Sequence, residues 1–280
     1  WLEGVNPVAI FAQRLQPNGT LDPRWPTRGR FVGVTYGGWS PSVLEDGRGG
    51  IFLAWSSIPT YDGTLDVNTV LVSRLGPNGL NQTGWLSQNR VITLPYALHF
   101  PPALALTADD GVFVAFAAWS EDSLSLDHGF YLTRLGYNGA FSPGFAVDGM
   151  RIATFNPARI PRLDMMFSHA ARDTSGGVYI SLLQPDEPLT EGAPASLTLL
   201  VQHRTASGAL APGWNENSLA LGSYNQDATA ADIARAAQMV EDGSGRAFVA
   251  APELATASPP RVQVRRVGPG PEVSAPDTAR

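Results

Sequence analysis

The chain repeats itself, and the period constrains its fold more than any other feature. Ile10-Phe11-Ala12-Gln13-Arg14-Leu15 recurs as Val70-Leu71-Val72-Ser73-Arg74-Leu75 and as Phe130-Tyr131-Leu132-Thr133-Arg134-Leu135, 60 residues apart each time. A fourth copy, Leu199-Leu200-Val201-Gln202-His203-Arg204, has His in the Arg place, and a fifth, Val262-Gln263-Val264-Arg265-Arg266-Val267, returns to Arg. Five residues after the Arg or His stands Gly19, Gly79, Gly139 or Gly208, and eleven after it an aromatic: Trp25, Trp85, Phe145 or Trp214. Self-similarity of this kind marks an array of supersecondary units that bury their apolar faces on one another.

A second motif alternates with the first. Asp46-Gly47-Arg48-Gly49-Gly50, the shorter Asp109-Asp110-Gly111, Asp173-Thr174-Ser175-Gly176-Gly177 and Asp242-Gly243-Ser244-Gly245 each precede an apolar run. Gly at such points supplies the positive φ of a tight hairpin. Each unit then reads as four strands. The first covers Ser42 to Leu44, Ala103 to Thr107, Met165 to Ala170 or Ala236 to Val240 and runs into the turn. A strongly apolar strand follows, then the strand ending in Arg-Leu. The last is short: Phe31 to Val34, Val91 to Thr93, Ile152 to Ala153 or Leu219 to Leu221. Ala228 to Met239 is Ala-rich enough for a helical turn, but the repeat register puts its second half on a strand.

Four antiparallel strands per unit of about 60 residues is the make-up of a β-propeller blade. The expected fold is all-β: a propeller of about five four-stranded blades, or an incomplete part of a six- to eight-bladed one. It would form one domain over residues 1–267, with repeats near 8–40, 41–100, 101–160, 161–225 and 226–267, followed by a Pro/Gly-rich tail, 268–280, that reads as a linker or disordered end. Five Arg-type strands against four complete strand pairs leave Val8 to Leu15 as surplus, so either the first blade is incomplete or a piece that precedes Trp1 has been removed. The aromatic at the eleventh position is expected to plug the space between neighbouring blades.

The order of apolar strand ending in Arg-Leu or Arg-Val, three residues then Gly, Gly-Trp, short strand, and Asp-Gly-x-Gly-Gly before a strand ending in Ala-Trp resembles the repeat of secreted bacterial propeller proteins from GC-rich genomes. The resemblance spans about Val8 to Val267. It implies an extracellular or cell-surface location and a recognition or scaffold role, and it carries no activity with it.

Composition removes several classes of function. With 44% hydrophobic residues and a net charge of −6, the 280-residue chain is neither disordered nor strongly charged, and no apolar run approaches the ~18 residues of a membrane helix. Nucleic-acid partners and membrane insertion are not expected, because the basic residues cluster only at Arg24, Arg28 and Arg30. All 19 basic residues are Arg, so no Lys is present for Schiff-base chemistry, and zero Cys removes thiol nucleophiles and thiolate metal sites. Residues 1–20 lack the pattern of a signal peptide, which fits a cytoplasmic chain or a mature or trimmed product.

Function is expected where the units differ. The turns and the Asn-Gly-to-aromatic connections are alike in every copy, whereas the opposite connections vary, as loops on a rigid scaffold do when they carry function. Those variable connections hold Tyr36, Trp39, Tyr61, Asp62, Tyr96, His99, Trp119, Asp122 and Tyr224. Aromatics interleaved with carboxylates suit sugar recognition, the ring stacking on a pyranose face and the carboxylates bonding its hydroxyls. The plainer reading is a solvated face with ordinary aromatic packing at blade edges.

A glycoside hydrolase would need two carboxylates held ~5–9.5 Å apart, and the first strands offer only Asp164 and Asp232. The four His residues show no metal-ligand spacing. The loops around Asp62 to Asp66 and Glu121 to Asp127 could hold Ca²⁺ weakly, and no cofactor is otherwise implied. Asn18 and Asn81 match the glycosylation pattern but are read as turn residues. The expected partner is thus a glycan or surface protein, without catalysis. Self-assembly through a bare strand edge, or membership of a larger parent chain, is the rival reading.

Overall fold

The computed structural model describes residues 1–4, 8–35, 41–57, 69–85, 90–93, 97–99, 102–120, 129–154, 168–185, 196–216, 218–225, 238–253, 261–274 and 277–279. Among them the chain is all-β, without helices, and its strands form five antiparallel sheets in chain order, none closed on itself. The first sheet holds β1 (Leu2–Glu3), β2 (Val8–Ala12) and β3 (Arg30–Thr35). The second holds β4 (Ser42–Glu45), β5 (Ile51–Ser57), β6 (Thr69–Leu75) and β7 (Arg90–Thr93). The third holds β8 (Ala97–His99), β9 (Ala103–Leu106), β10 (Val112–Ser120), β11 (Gly129–Leu135) and β12 (Met150–Ala153). In the fourth lie β13 (Ser168–Arg172), β14 (Val178–Pro185), β15 (Ser196–Arg204) and β16 (Leu219–Asn225). The fifth is β17 (Gln238–Glu241), β18 (Ala247–Glu253), β19 (Arg261–Val267) and β20 (Asp277–Ala279).

Both faces of the middle sheets are covered, which explains why Ile51 to Trp55 of β5 and Val112 to Ala118 of β10 are apolar without interruption. Side chains alternate between two neighbours. Leu53 and Trp55 pack with Ile10 and Trp25 of the first sheet, while Phe52 and Ala54 pack with Val114 and Phe116 of the third. The same alternation sends Phe113 and Phe130 against Ile180 and Leu182, and Tyr179 and Val201 against Val249 and Val267. Each of the three middle sheets therefore has a forward face on its successor and a rear face on its predecessor.

The first strands lie side by side as well: β4 beside β9, β9 beside β13, and β13 beside β17. Among the described residues the first sheet has no counterpart to them. It starts instead with the two-residue β1, paired to β2 through Leu2 opposite Ile10.

Two expectations change. The tail is not a linker: Val267 bridges Val273, the Ser274 amide donates to the Arg266 carbonyl, and Asp277–Ala279 pairs with β19 as a fourth strand. These contacts are the fifth copy of a turn already present at Leu15–Leu21, Leu75–Asn81, Leu135–Phe141 and Arg204–Leu210. Pro269 fits because the turn asks no amide of that position, whereas at Pro271 the other copies donate from Gly19, Gly79, Gly139 or Gly208, and here the Glu272 amide bonds the Gly270 carbonyl instead. His99 does not stand in a connection between units, since β8 pairs it with Ala118 across β10. Of the stretch Ala228 to Met239, only Gln238 and Met239 are described, and both lie in β17.

Candidate functional site

Each of the last four sheets is fastened at the end that carries the Asp-Gly turns. Asp46 accepts hydrogen bonds from the amides of Arg48 and Gly50 (2.8 and 2.7 Å) and from Arg74 Nε and Nη2 (3.0 and 2.7 Å), with both side chains 1% exposed. Burial pushes its carboxyl up, and the Arg74 and amide hydrogen bonds outweigh that, holding it below the usual carboxylate range. Asp173 repeats the arrangement with His203 Nε2 at 2.5 Å, Ser175 Oγ at 2.8 Å and the Gly177 amide at 2.6 Å. Burial pushes its carboxyl up as well, and the hydrogen bonds from His203, Ser175 and the Gly177 amide hold it below the usual carboxylate range. Asp242 pairs with Arg266 through Nε at 2.7 Å and through Nη2.

The third sheet reaches the same end differently. Thr107 stands in the Asp place, and Asp109, two residues on, takes the Arg instead, at 2.8 Å from Arg134 Nη2. Thr107 Oγ1 donates to Asp109 at 2.6 Å and is the main reason its carboxyl stays low. Asp110 then occupies the left-handed position (φ 60) that Gly49, Gly176 and Gly245 fill elsewhere, a conformation in which an Asp is tolerated far better than a branched residue.

The repeated aromatics and Arg residues also sew each sheet to the next. Trp85 Nε1 and Arg74 Nη1 both donate to the Tyr137 carbonyl of the third sheet, at 2.8 and 3.0 Å. Trp25 Nε1 reaches the Pro77 carbonyl at 2.9 Å, and Arg134 Nη1 the Ala206 carbonyl at 3.0 Å. Trp214 Nε1 and His203 Nδ1 both meet the Pro269 carbonyl, at 2.6 and 3.2 Å. The His203 ring stacks on Tyr179 with centroids 4.1 Å apart. Burial pushes the Tyr179 phenol up to about 12, and its hydroxyl donates to the Gly245 carbonyl at 2.8 Å. Trp25, Trp85, Phe145 and Trp214 are all buried between sheets, as the plug reading expects. Asn18 accepts from the Thr20 amide as a turn residue, whereas Asn81 belongs to the bridge with Leu75.

The first strands of four sheets frame a cavity of about 620 Å³. Leu44, Leu104, Ala105, Ala171 and Val240 contribute to its apolar wall, and Glu45, Asp110, Arg172 and Glu241 are its charged lining. Arg172 grips Glu241 through two hydrogen bonds of 2.6 and 2.8 Å, and Asp110 is taken by Arg48. Glu45 has no ion pair among the described residues. An apolar wall ending in a free carboxylate could receive the body and positive end of a basic side chain or small amine. Sequence reading missed these residues. The signal was present, since Glu45, Arg172 and Glu241 each stand immediately before a turn Asp, at the end of a first strand.

The expected ligand face is placed only at its margins. Trp119 stands in β10 opposite Leu98, His99 in β8, and Tyr224 in β16 opposite Leu197. Tyr36, Trp39, Tyr61, Asp62, Tyr96 and Asp122 lie outside the described residues, as do Asp164, Asp232 and the acidic stretches weighed for Ca²⁺. Among the described residues no group of three His, Asp or Glu side chains is disposed to hold a metal. No protein-family model matches the chain, and no curated protein matches it closely enough to count as a relative.

Proposed function

We propose that the chain is a non-catalytic recognition module, built on a β-propeller of four-stranded blades, that acts outside the cell or on its surface. Its ligand is a glycan or a surface protein, bound at the end of the sheets that carries the variable connections.

The observation that supports this reading is the contrast between the two ends. The turns at one end span five residues in every complete sheet, 46–50, 107–111, 173–177 and 242–246, and each holds an acid committed to an Arg or His. At the other end the connections after β5, β10, β14 and β18 run to eleven, eight, ten and seven residues. A scaffold that fixes one end and varies the other leaves the variable end free to carry specificity.

Replacing Trp39 and Trp119 by Ala tests the proposal on a glycan array and on immobilised surface proteins. An aromatic anchor of an interface contributes about 2 kcal/mol or more, so binding should fall roughly thirtyfold or further while the melting temperature stays close to that of the parent. Unchanged binding, or a large drop in melting temperature, would mark the two rings as packing residues and overturn the assignment.

A further inference from the structure

The fold fixes the acid that opens a turn but not the residue in front of it. Asp46, Asp173 and Asp242 are committed to Arg74, His203 and Arg266, whereas the positions just before the turns hold Glu45, Leu106, Arg172 and Glu241. Those four residues all line the cavity of about 620 Å³ framed by the first strands. One residue further back stand Leu44, Ala105, Ala171 and Val240, so a wholly apolar layer lies behind a largely charged one. Every lining residue falls between Leu44 and Glu241.

Three acids and one base face this space, and their pairing leaves one charge over. Arg172 is spent on Glu241 through Nε and Nη2, and Arg48, from outside the lining, holds Asp110. The Glu45 carboxylate has no ion pair among the described residues. One uncompensated negative charge beside an apolar wall is complementary to a monocation that carries an apolar body, and it repels an anion. The volume lies within the ~300–1,000 Å³ of small-molecule sites, in which apolar walls supply most of the contact and a few polar groups fix orientation.

We infer that this cavity binds a small primary amine with an apolar body. The ammonium group donates to the Glu45 carboxylate at the turn end, and the body lies against Leu44, Ala105, Ala171 and Val240. A Lys side chain of a protein would meet the same carboxylate but bring only a thin stem to that wall, so a compact small molecule is the better occupant. The site stands at the constant end of the sheets. It goes beyond ligand binding at the variable end and is independent of it.

Calorimetric titration of the intact chain with tryptamine tests the inference, with indole-3-ethanol as the uncharged counterpart and Nα-acetyl-lysine methylamide as the basic side chain. Tryptamine should bind one to one. The alcohol should bind about tenfold or more weakly, because a hydrogen bond to a charged group is stronger than a neutral one. The lysine derivative should also bind more weakly, for want of a body to cover the wall. Glu45→Gln keeps the shape of the side chain and removes its charge, and it should weaken tryptamine about tenfold, whereas Glu3→Gln, outside the cavity, should leave binding as in the parent. Both residues are exposed, so the variants should fold, which melting temperature verifies. Replacement of Trp39 and Trp119 should not change tryptamine binding, which separates this site from the variable end. Absence of tryptamine binding at millimolar concentration overturns the inference, as does equal binding of the alcohol or an unchanged affinity in Glu45→Gln. A lysine derivative that binds as tightly as tryptamine overturns the assignment to a small molecule.

Discussion

At the residue scale the Asp46–Arg74 pair matters more than the count of ion pairs would imply. Both groups are withdrawn from water, so removing one leaves the other buried and uncompensated. Asp46→Ala should therefore destabilise the fold by about 3–5 kcal/mol in a urea titration. Arg48→Ala removes a pair of which 56% and 39% of the side-chain surface is exposed, and its effect on the same titration should be small, because solvent screens the pair. Comparable losses in the two variants would contradict this ranking. The sequence displayed the repeated Arg clearly but not what it held. An Arg at a strand end has many possible partners, and only pairing across the turn brings Asp46 to Arg74. The third sheet illustrates the limit, since the acid there moves by two residues and Thr107 takes the vacated place.

At the element scale the informative segment is the end of the chain. Gly268 to Arg280 has the composition of a linker, and that composition misleads, because a turn rich in Gly and Pro and a linker rich in Gly and Pro look the same in one dimension. The Pro269 carbonyl accepts from both Trp214 and His203 in the preceding sheet. A chain ending at Val267 would orphan both donors, at about 1–3 kcal/mol each, and would lose β20. Its melting temperature should fall by several degrees relative to the full chain, whereas a linker would leave it unchanged. The boundaries of the other strands were legible to within a few residues, because apolar runs bounded by Gly turns admit little alternative. The short strands were less so: β8 has almost no pattern of its own and exists because Ala118 to Ser120 offers it an edge.

At the scale of the whole molecule the lowered carboxyls add up. Hydrogen bonds from Arg24 bring Asp22 to about 2, and Asp46, Asp109, Asp173 and Asp242 are lowered as well. A carboxyl whose folded pKa is depressed contributes stability that is complete above its ordinary value of 3.8 and is lost as pH falls through the folded value. Stability should thus stay level as pH is lowered to about 4 and fall steeply between about 4 and 2. Chemical denaturation at fixed ionic strength over that range measures it. A loss that begins near neutrality would mean that these acids do not govern the acid limit.

The sequence by itself determined the repeat, the all-β character and the positions of the turns, because strand period, Gly conformational freedom and apolar runs are local properties. It also marked the recurring Arg and aromatic as structural. Only the tertiary structure decided what those residues bind, since their acceptors lie in other turns and sheets, 52 residues away for Trp25 and 63 for Arg74. Tertiary structure likewise set Arg172 and Glu241 together beside the cavity. An identical side chain is core in one copy and surface in another for one physical reason, which is whether a neighbouring sheet covers it.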